Sequence, residues 1–177
     1  MTKRARLLAV AVAAAALGAV GGSAATAGGG GGSGATGRLS GYQEDPAVLS
    51  TTGGGQVRLR IDEAAQEISY SLSYRDLAST VNQAHIHFGG RAQSGGISVF
   101  LCTNAGNGPA GTPACPAAPA TVTGVLTPAS VIGPAGQGIA AGEFAELVAA
   151  IRAGVTYANV HTATFPAGEI RAQLNHH

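Results

Sequence analysis

The sequence predicts an all-β protein, an antiparallel Greek-key sandwich or barrel with one short helix. After residue 38 the chain consists of short runs in which apolar and polar residues alternate, as they do in strands with one buried face. Gly, Pro, Asp or Asn separates most of these runs. A single segment, residues 143–154, repeats its apolar residues with helical spacing. Together these patterns favour paired strands over a helical or a mixed fold.

The first 27 residues have the composition of a secretory signal peptide. Basic residues precede an apolar run from Leu7 to Val20, and small residues follow as far as Ala27. The apolar run is too short for a membrane-spanning helix, which needs about 20 residues. We therefore expect Sec-type export, cleavage after Ala27, no membrane insertion of the mature chain, and a secreted or extracytoplasmic location in the cell envelope or periplasm.

The composition of the mature chain excludes one class of partner. Loss of the signal removes three of the ten basic residues, which leaves seven against nine acidic residues and no lysine. Nucleic-acid binding needs a clustered basic surface, so nucleic acid is excluded as a partner. The remaining partner class is a protein or glycan in the envelope or extracellular space.

Glycine content sets the expected boundaries of the folded domain. Residues 28–37, GGGGGSGATG, offer no side chain to bury and are expected to form a flexible linker. The domain is expected to span residues 38–174. Residues 175–177 would form a short tail in which His176 and His177 are frayed.

The first clear elements are a hairpin and, later, the helix. Residues 57–61 and 68–72 alternate apolar and polar side chains on either side of the linker DEAAQ, which predicts two antiparallel strands with one solvated face. In the helical segment Phe144, Leu147, Val148 and Ile151 recur at i, i+3, i+4 and i+7. Gly154 follows as a stop signal.

Cys102 and Cys115 are the only cysteines. In an exported protein two cysteines most simply form a disulfide, which here would close a loop rich in Gly and Pro and stabilise the fold by about 3 kcal/mol. A thiolate metal site is the alternative, but the chain has no CxxC spacing to support it.

Two histidines in the stretch NQAHIHFGG are separated by one residue. His85 and His87 would lie on one face of a strand, about 6–7 Å apart, while Ala84 and Ile86 face the core. The sequence therefore predicts a pair of neighbouring imidazoles on the polar side of the sheet.

The C-terminal stretch VTYANVHTATFPAGEIRAQL predicts a second polar face. Tyr157, Asn159 and His161 share one side of a strand. In a hairpin centred on Phe165, His161 would lie across from Glu169, and Asn159 across from Arg171. Glu169 would then either orient His161 by a hydrogen bond or pair with a neighbouring cation.

These two faces together predict a candidate metal site. If their strands are neighbours, His85, His87 and His161 converge, and three imidazoles suit copper or zinc. Glu169, Asn159, Arg171 and Tyr157 would support the ligands. Two other interpretations stay open: the histidines hydrogen-bond across the sheet without metal, or they form a contact that weakens when they are protonated.

The sequence resembles the CHRD, or chordin-type, domain family. The resemblance rests on LSGYQEDP, GGGQVRLRID, ISYSLSYRDL, AHIHFGG with GGISVFL, and YANVHTATFPAGEIRAQL, and it spans roughly residues 38–174. Ala172 replaces the glycine that most often follows the arginine in the final motif. The resemblance implies an extracytoplasmic all-β domain of a bacterial exported protein, and it brings no established activity.

AHIHFGG is also similar to the copper-binding strand of Cu/Zn superoxide dismutases, so the sandwich is expected to be immunoglobulin-like or superoxide dismutase-like. Those enzymes need a bridging histidine, and this chain has none between His87 and His161. A bridged two-metal site is therefore excluded, whereas a three-histidine copper site is not.

Three functions follow from these observations. The first is an exported CHRD-domain binding module with a copper or zinc site, and the second is a structural or adhesive envelope module that binds protein or glycan without a metal. The third is a copper-dependent, superoxide dismutase-like enzyme. The sequence names no catalytic residue, and it favours a binding protein over an enzyme.

Overall fold

A computed structural model describes residues 33–48 and 52–177. The expected signal peptide, residues 1–27, and the first part of the expected linker lie outside the described residues. Within the described ranges no helix has both the length and the apolar character needed to cross a membrane.

The described chain forms one antiparallel sheet that nearly closes into a barrel, with one α-helix, which confirms the predicted fold class. The strand order is β5-β4-β7-β8-β1-β2-β3-β6, with β9 added beside β1. The elements are β1 (Ser33–Ser40), β2 (Gly54–Asp62), β3 (Glu67–Arg75), β4 (Val81–Phe88), β5 (Ile97–Thr103), β6 (Ala120–Leu126), α1 (Phe144–Arg152), β7 (Thr156–Thr162), β8 (Ile170–Gln173) and β9 (Asn175–His176).

The hairpin of β2 and β3 shows why the sheet forms. Val57 pairs with Leu72, and Ile61 pairs with Ile68, so the apolar residues of both strands point into the barrel, where they are buried. Arg58 and Arg60 alternate with them and are exposed. Burying each aliphatic side chain contributes roughly 1.5–3 kcal/mol, which fixes the register because a slip of one residue would expose them all.

The predicted helix is α1, and it packs onto the same core. The apolar residues that recur with helical spacing are all buried: Phe144, Leu147, Val148 and Ile151. Arg152 in the last turn forms an ion pair with Glu63. Gly154 follows with φ +69, a left-handed conformation that ends the helix at little cost for glycine.

The first strand begins earlier than its composition suggests. Residues 33–37, part of the expected flexible linker, belong to β1 and pair with β2. A Cβ on Gly37 would lie 2.8 Å from the Cβ of Ala172, so this glycine permits close packing inside the barrel. Glycine here allows two strands to approach closely. Amino-acid composition does not distinguish this role from that of a flexible linker.

The C-terminal residues are also paired. Asn175 and His176 form β9 against β1, and the backbone of His177 hydrogen-bonds with that of Gly34. The expected frayed tail is therefore a short strand whose side chains are exposed.

Cys102 and Cys115 form the predicted disulfide, with Cα atoms 5.1 Å apart. Cys102 lies on β5, and Cys115 lies in the following loop. Asn104 fixes that loop, since its side chain bonds the backbone N–H and carbonyl of Cys115. A disulfide is compatible with an extracellular protein.

Candidate metal centre

The pairing of β4 with β7 brings the two predicted polar faces together. Gln83 lies opposite His161, His85 opposite Asn159, and His87 opposite Tyr157. The alternate residues Ala84 and Ile86 of β4, and Ala158 and Val160 of β7, are fully buried in the barrel. The histidines consequently share the outer face of the sheet, as the sequence predicts.

The three imidazoles are in mutual contact. Nδ1 of His85 lies 3.1 Å from Nε2 of His161. The ring centroids of His85 and His87 are 5.4 Å apart, and those of His87 and His161 are 5.9 Å apart. One nitrogen from each ring lies within 4.8 Å of the other two. Within residues 33–48 and 52–177 this is the single cluster of three or more metal-ligand side chains.

Backbone carbonyls orient two of the rings. Nδ1 of His87 lies 2.9 Å from the carbonyl oxygen of Gly95, and Nδ1 of His161 lies 3.1 Å from that of Pro166. A carbonyl only accepts hydrogen bonds, so each neutral ring carries its proton on Nδ1. The lone pair of each ring, which a metal ligand must offer, is then on Nε2.

The site keeps its histidines neutral. Burial lowers the pKa of His85 to about 3, with further lowering from His161 and His87. Burial also lowers the pKa of His87 to about 4, and nearby His161 and Arg171 add to this against the opposing bond to Gly95. The pKa of His161 is lowered as well, chiefly by burial. Neutral imidazole is the form that binds metal, so no proton has to leave before an ion enters.

The residues fit a copper or zinc ion. Nε2 of His85 and Nε2 of His87 are buried without a protein partner. Because the lone pair of His161 is on Nε2, Nδ1 of His85, 3.1 Å away, donates a hydrogen bond to it, and the lone pair of His85 is therefore on its unpartnered Nε2. The donor set, three imidazoles, is one that both metals favour.

Tyr157 and Arg171 support the cluster by stacking. The ring of Tyr157 is parallel to His87 within 3° at a centroid distance of 4.8 Å. The guanidinium carbon of Arg171 lies 3.4 Å from the centroid of the same tyrosine ring. Arg171 also donates hydrogen bonds to the carbonyls of Gly90 and Gln93. The stack therefore ties His87 to the loop that follows β4.

Asn159 links the histidine face to a residue that the sequence did not single out. Asn159 pairs with Arg171 across the β7–β8 ladder, as predicted, and its amide donates to the carboxyl group of Glu44 at 2.6 Å. Burial raises the pKa of Glu44 to about 7, against the opposing effects of Asn159 and Arg171. Beside Asp45 and Pro46, Glu44 has the sequence context of a turn, so no local signal distinguishes it.

Glu169 hydrogen-bonds to strand β7 and to the segment before β4. Its carboxylate accepts hydrogen bonds from the backbone N–H of Ala78 at 2.8 Å and from the hydroxyl of Thr162 at 2.7 Å. The orienting contact of His161 is the carbonyl of Pro166. Glu169 is fully buried and ties the β7–β8 turn to the segment before β4.

Comparison with protein families identifies the chain. The family model described as CHRD domain matches residues 35–174, which is most of the chain. The chain belongs to the CHRD domain family. The match begins within β1 and ends after β8, so the CHRD domain includes both histidine-bearing strands and the whole ladder around them.

Comparison with curated proteins yields no match, and comparison with solved structures yields none either. For this CHRD domain, the functional argument therefore rests on its own side chains.

Proposed function

We propose that this CHRD domain is an exported binding module that holds one copper or zinc ion through His85, His87 and His161. The observation that carries the proposal is the convergence of three neutral imidazoles, two of them with a buried Nε2 atom that has no protein partner. Leaving such atoms unpaired costs about 1–3 kcal/mol each, which a bound ion would offset.

The surrounding residues favour a site that is formed before the ion binds. Carbonyl oxygens fix the tautomers of His87 and His161, and Tyr157 holds the plane of His87 by stacking. An ion bound here would supply positive charge and a coordination centre. The chain supplies nitrogen donors that need no proton loss and little rearrangement.

Two observations support export as part of the proposal. The disulfide between Cys102 and Cys115 is stable in an oxidising compartment. The basic and apolar residues at the N-terminus have the order found in Sec-type signal peptides. Mass spectrometry of the mature protein from the native host tests the expected cleavage after Ala27.

Elemental analysis tests the metal site. The protein is purified without a histidine tag, and His176 and His177 are replaced by serine so that exposed imidazoles cannot bind metal while the backbone pairing of β9 is retained. We expect one equivalent of copper or zinc in this background, and none after His87→Ala is added. Equal metal content in both proteins, with circular dichroism showing both folded, contradicts the proposal.

A second function is favoured by the opposite part of the sheet. The outer face of β2 and β3 carries exposed Arg58 and Arg60 beside Ser69 and Ser71, a polar surface suited to a protein or glycan. In that case the domain is an adhesive envelope module. Arg58→Ala would then weaken retention on an envelope fraction, while His87→Ala would leave retention unchanged and metal content would be zero throughout.

A further inference from the structure

The buried polar atoms that lack a protein partner are concentrated on β4. Six such side-chain atoms occur among the described residues. Three of them are Oε1 of Gln83, Nε2 of His85 and Nε2 of His87, which occupy successive outward positions of this one strand. Two belong to the proposed metal ligands. The third, the amide oxygen of Gln83, belongs to a residue with no role in the site so far.

The register places Gln83 beside the histidine cluster. It is directly opposite His161 on β7, and the Cβ atoms of such a pair lie about 4.5–5.5 Å apart. It precedes His85 by two residues on the same face, at a distance of about 6–7 Å along the strand. Gln83 therefore borders the cluster on the side of both His161 and His85.

An amide oxygen is a hydrogen-bond acceptor and also a weak metal ligand. A buried acceptor without a protein partner is stable when a bound water or ion supplies the missing partner. An ion held by three histidines has such a water, because the fourth position of a three-ligand tetrahedral site is filled by solvent or substrate.

We infer that Oε1 of Gln83 accepts a hydrogen bond from a water molecule that occupies the fourth coordination position of the ion. The inference rests on the proposed metal site and extends it: the site is open, with one exchangeable position, and Gln83 is its positioning residue. The ligand class of that position is water or a small hydrogen-bond donor.

The chain offers a matched control in Gln173. Its Oε1 is also buried without a partner, but it lies on β8 opposite Tyr157 and its amide nitrogen is bonded to the carbonyls of Gly89 and Gly154. A substitution at Gln173 therefore alters a buried amide of the same size as that of Gln83, but on a strand that carries none of the three histidines.

The experiment uses copper(II) as the probe and pulsed electron paramagnetic resonance in D₂O, which detects deuterium of water bound to the ion. In the folded protein with serine at 176 and 177, we expect a bound-water signal. Gln83→Glu places a carboxylate at the fourth position, where it displaces the water. We expect the deuterium signal to be lost and copper to bind at least about tenfold more tightly.

Gln83→Leu removes the acceptor without supplying a ligand. We expect the bound-water signal to remain and copper affinity to fall about tenfold. Gln173→Glu and Gln173→Leu are expected to match the parent protein in both measurements. If either Gln83 variant behaves like its Gln173 counterpart in both measurements, the inference is overturned. A parent protein that binds no copper overturns the metal site itself, so the two failures are distinguishable.

Discussion

Strands β2 and β4 have the same alternating pattern but opposite burial on their outer faces. On β2 the outward residues Arg58 and Arg60 are exposed to solvent. On β4 the outward residues His85 and His87 are 2% and 8% exposed. Alternation therefore shows which residues face the barrel interior, but it does not show whether the other face meets water.

The difference arises from the segments that cover β4, β7 and β8. The loop after β4 lies over this face, because Arg171 binds the carbonyls of Gly90 and Gln93 while His87 binds that of Gly95. The segment after β1 covers it through Glu44, and the β7–β8 turn covers it through Pro166. The covering segments supply hydrogen-bond partners to Arg171, Asn159 and one nitrogen each of His87 and His161, whereas Nε2 of His85 and Nε2 of His87 are buried without a protein partner.

The largest expected difference between the two faces is the loss of stability when an arginine is replaced. Arg171→Met leaves two loop carbonyls without their donor and removes the cation over Tyr157, so we expect a loss of about 3 kcal/mol in unfolding free energy. Arg58→Met on the exposed face should change it by less than about 0.5 kcal/mol. Urea unfolding of both variants measures the two losses in unfolding free energy. Equal losses would contradict the expectation that substitutions on the covered face destabilise the protein more than those on the exposed face.

The second largest expected effect is a loss of protein stability at acid pH, caused by the buried histidines of the covered face. The metal-free protein has histidines with pKa values of about 3 and 4 at His85 and His87, against 6.5 for the unfolded chain. Between pH 6.5 and 4 the unfolded chain binds more protons, so stability falls as the pH falls, by up to about 1.4 kcal/mol per pH unit for each histidine.

Unfolding of the metal-free protein across this pH range, with a chelator present, measures the slope. His85→Gln should make it shallower because one titrating group is gone. A slope that is unchanged in this variant would mean that His85 does not titrate in the expected window.

The smallest expected effect is the pH dependence of stability that Glu44 causes, and it is opposite in sign to that of the histidines. Its pKa is raised to about 7 in the folded protein from 4.5, so the folded state binds more protons between these values. Its contribution is present below pH 4.5 and is lost as the pH rises through 7. The histidines of the unfolded chain are still half protonated at pH 6.5, so they raise stability up to about pH 7.5, in the direction opposite to Glu44. The difference between the parent protein and Glu44→Gln from pH 6.5 to 8 therefore isolates Glu44.

Glu44→Gln keeps an oxygen that accepts from Asn159 and does not ionise. From pH 6.5 to 8 we expect its melting temperature to rise relative to that of the parent protein, because only the parent loses the contribution of Glu44. Parallel pH profiles of melting temperature for the two proteins would show that Glu44 does not titrate in this range.

Sequence reasoning identified the ligands of the candidate site better than their surroundings. His85, His87 and His161 follow from two alternating strands, and the pairing of Asn159 with Arg171 follows from the length of one hairpin. Glu44 was not identified, because it is 115 residues from Asn159 and its contact depends on how the segment after β1 crosses the sheet. Local patterns carry no information about such crossings.

Glycine content was the least informative signal. Composition predicts a flexible linker over residues 28–37, yet residues 33–37 form part of β1, where Gly37 lies against Ala172. A glycine that gives freedom and one that permits close packing are identical in a sequence, and only the neighbouring strand distinguishes them.

The amino-acid sequence by itself determined the all-β class, the disulfide, the single helix and the face on which each histidine lies, because these depend on periodicities of two or 3.6 residues and on the number of cysteines. The tertiary structure alone decided that β4 and β7 are neighbours, that loops cover their polar face, and that the imidazoles are therefore dehydrated and neutral. Strand order and loop path depend on packing between residues distant in the chain, which no local pattern specifies.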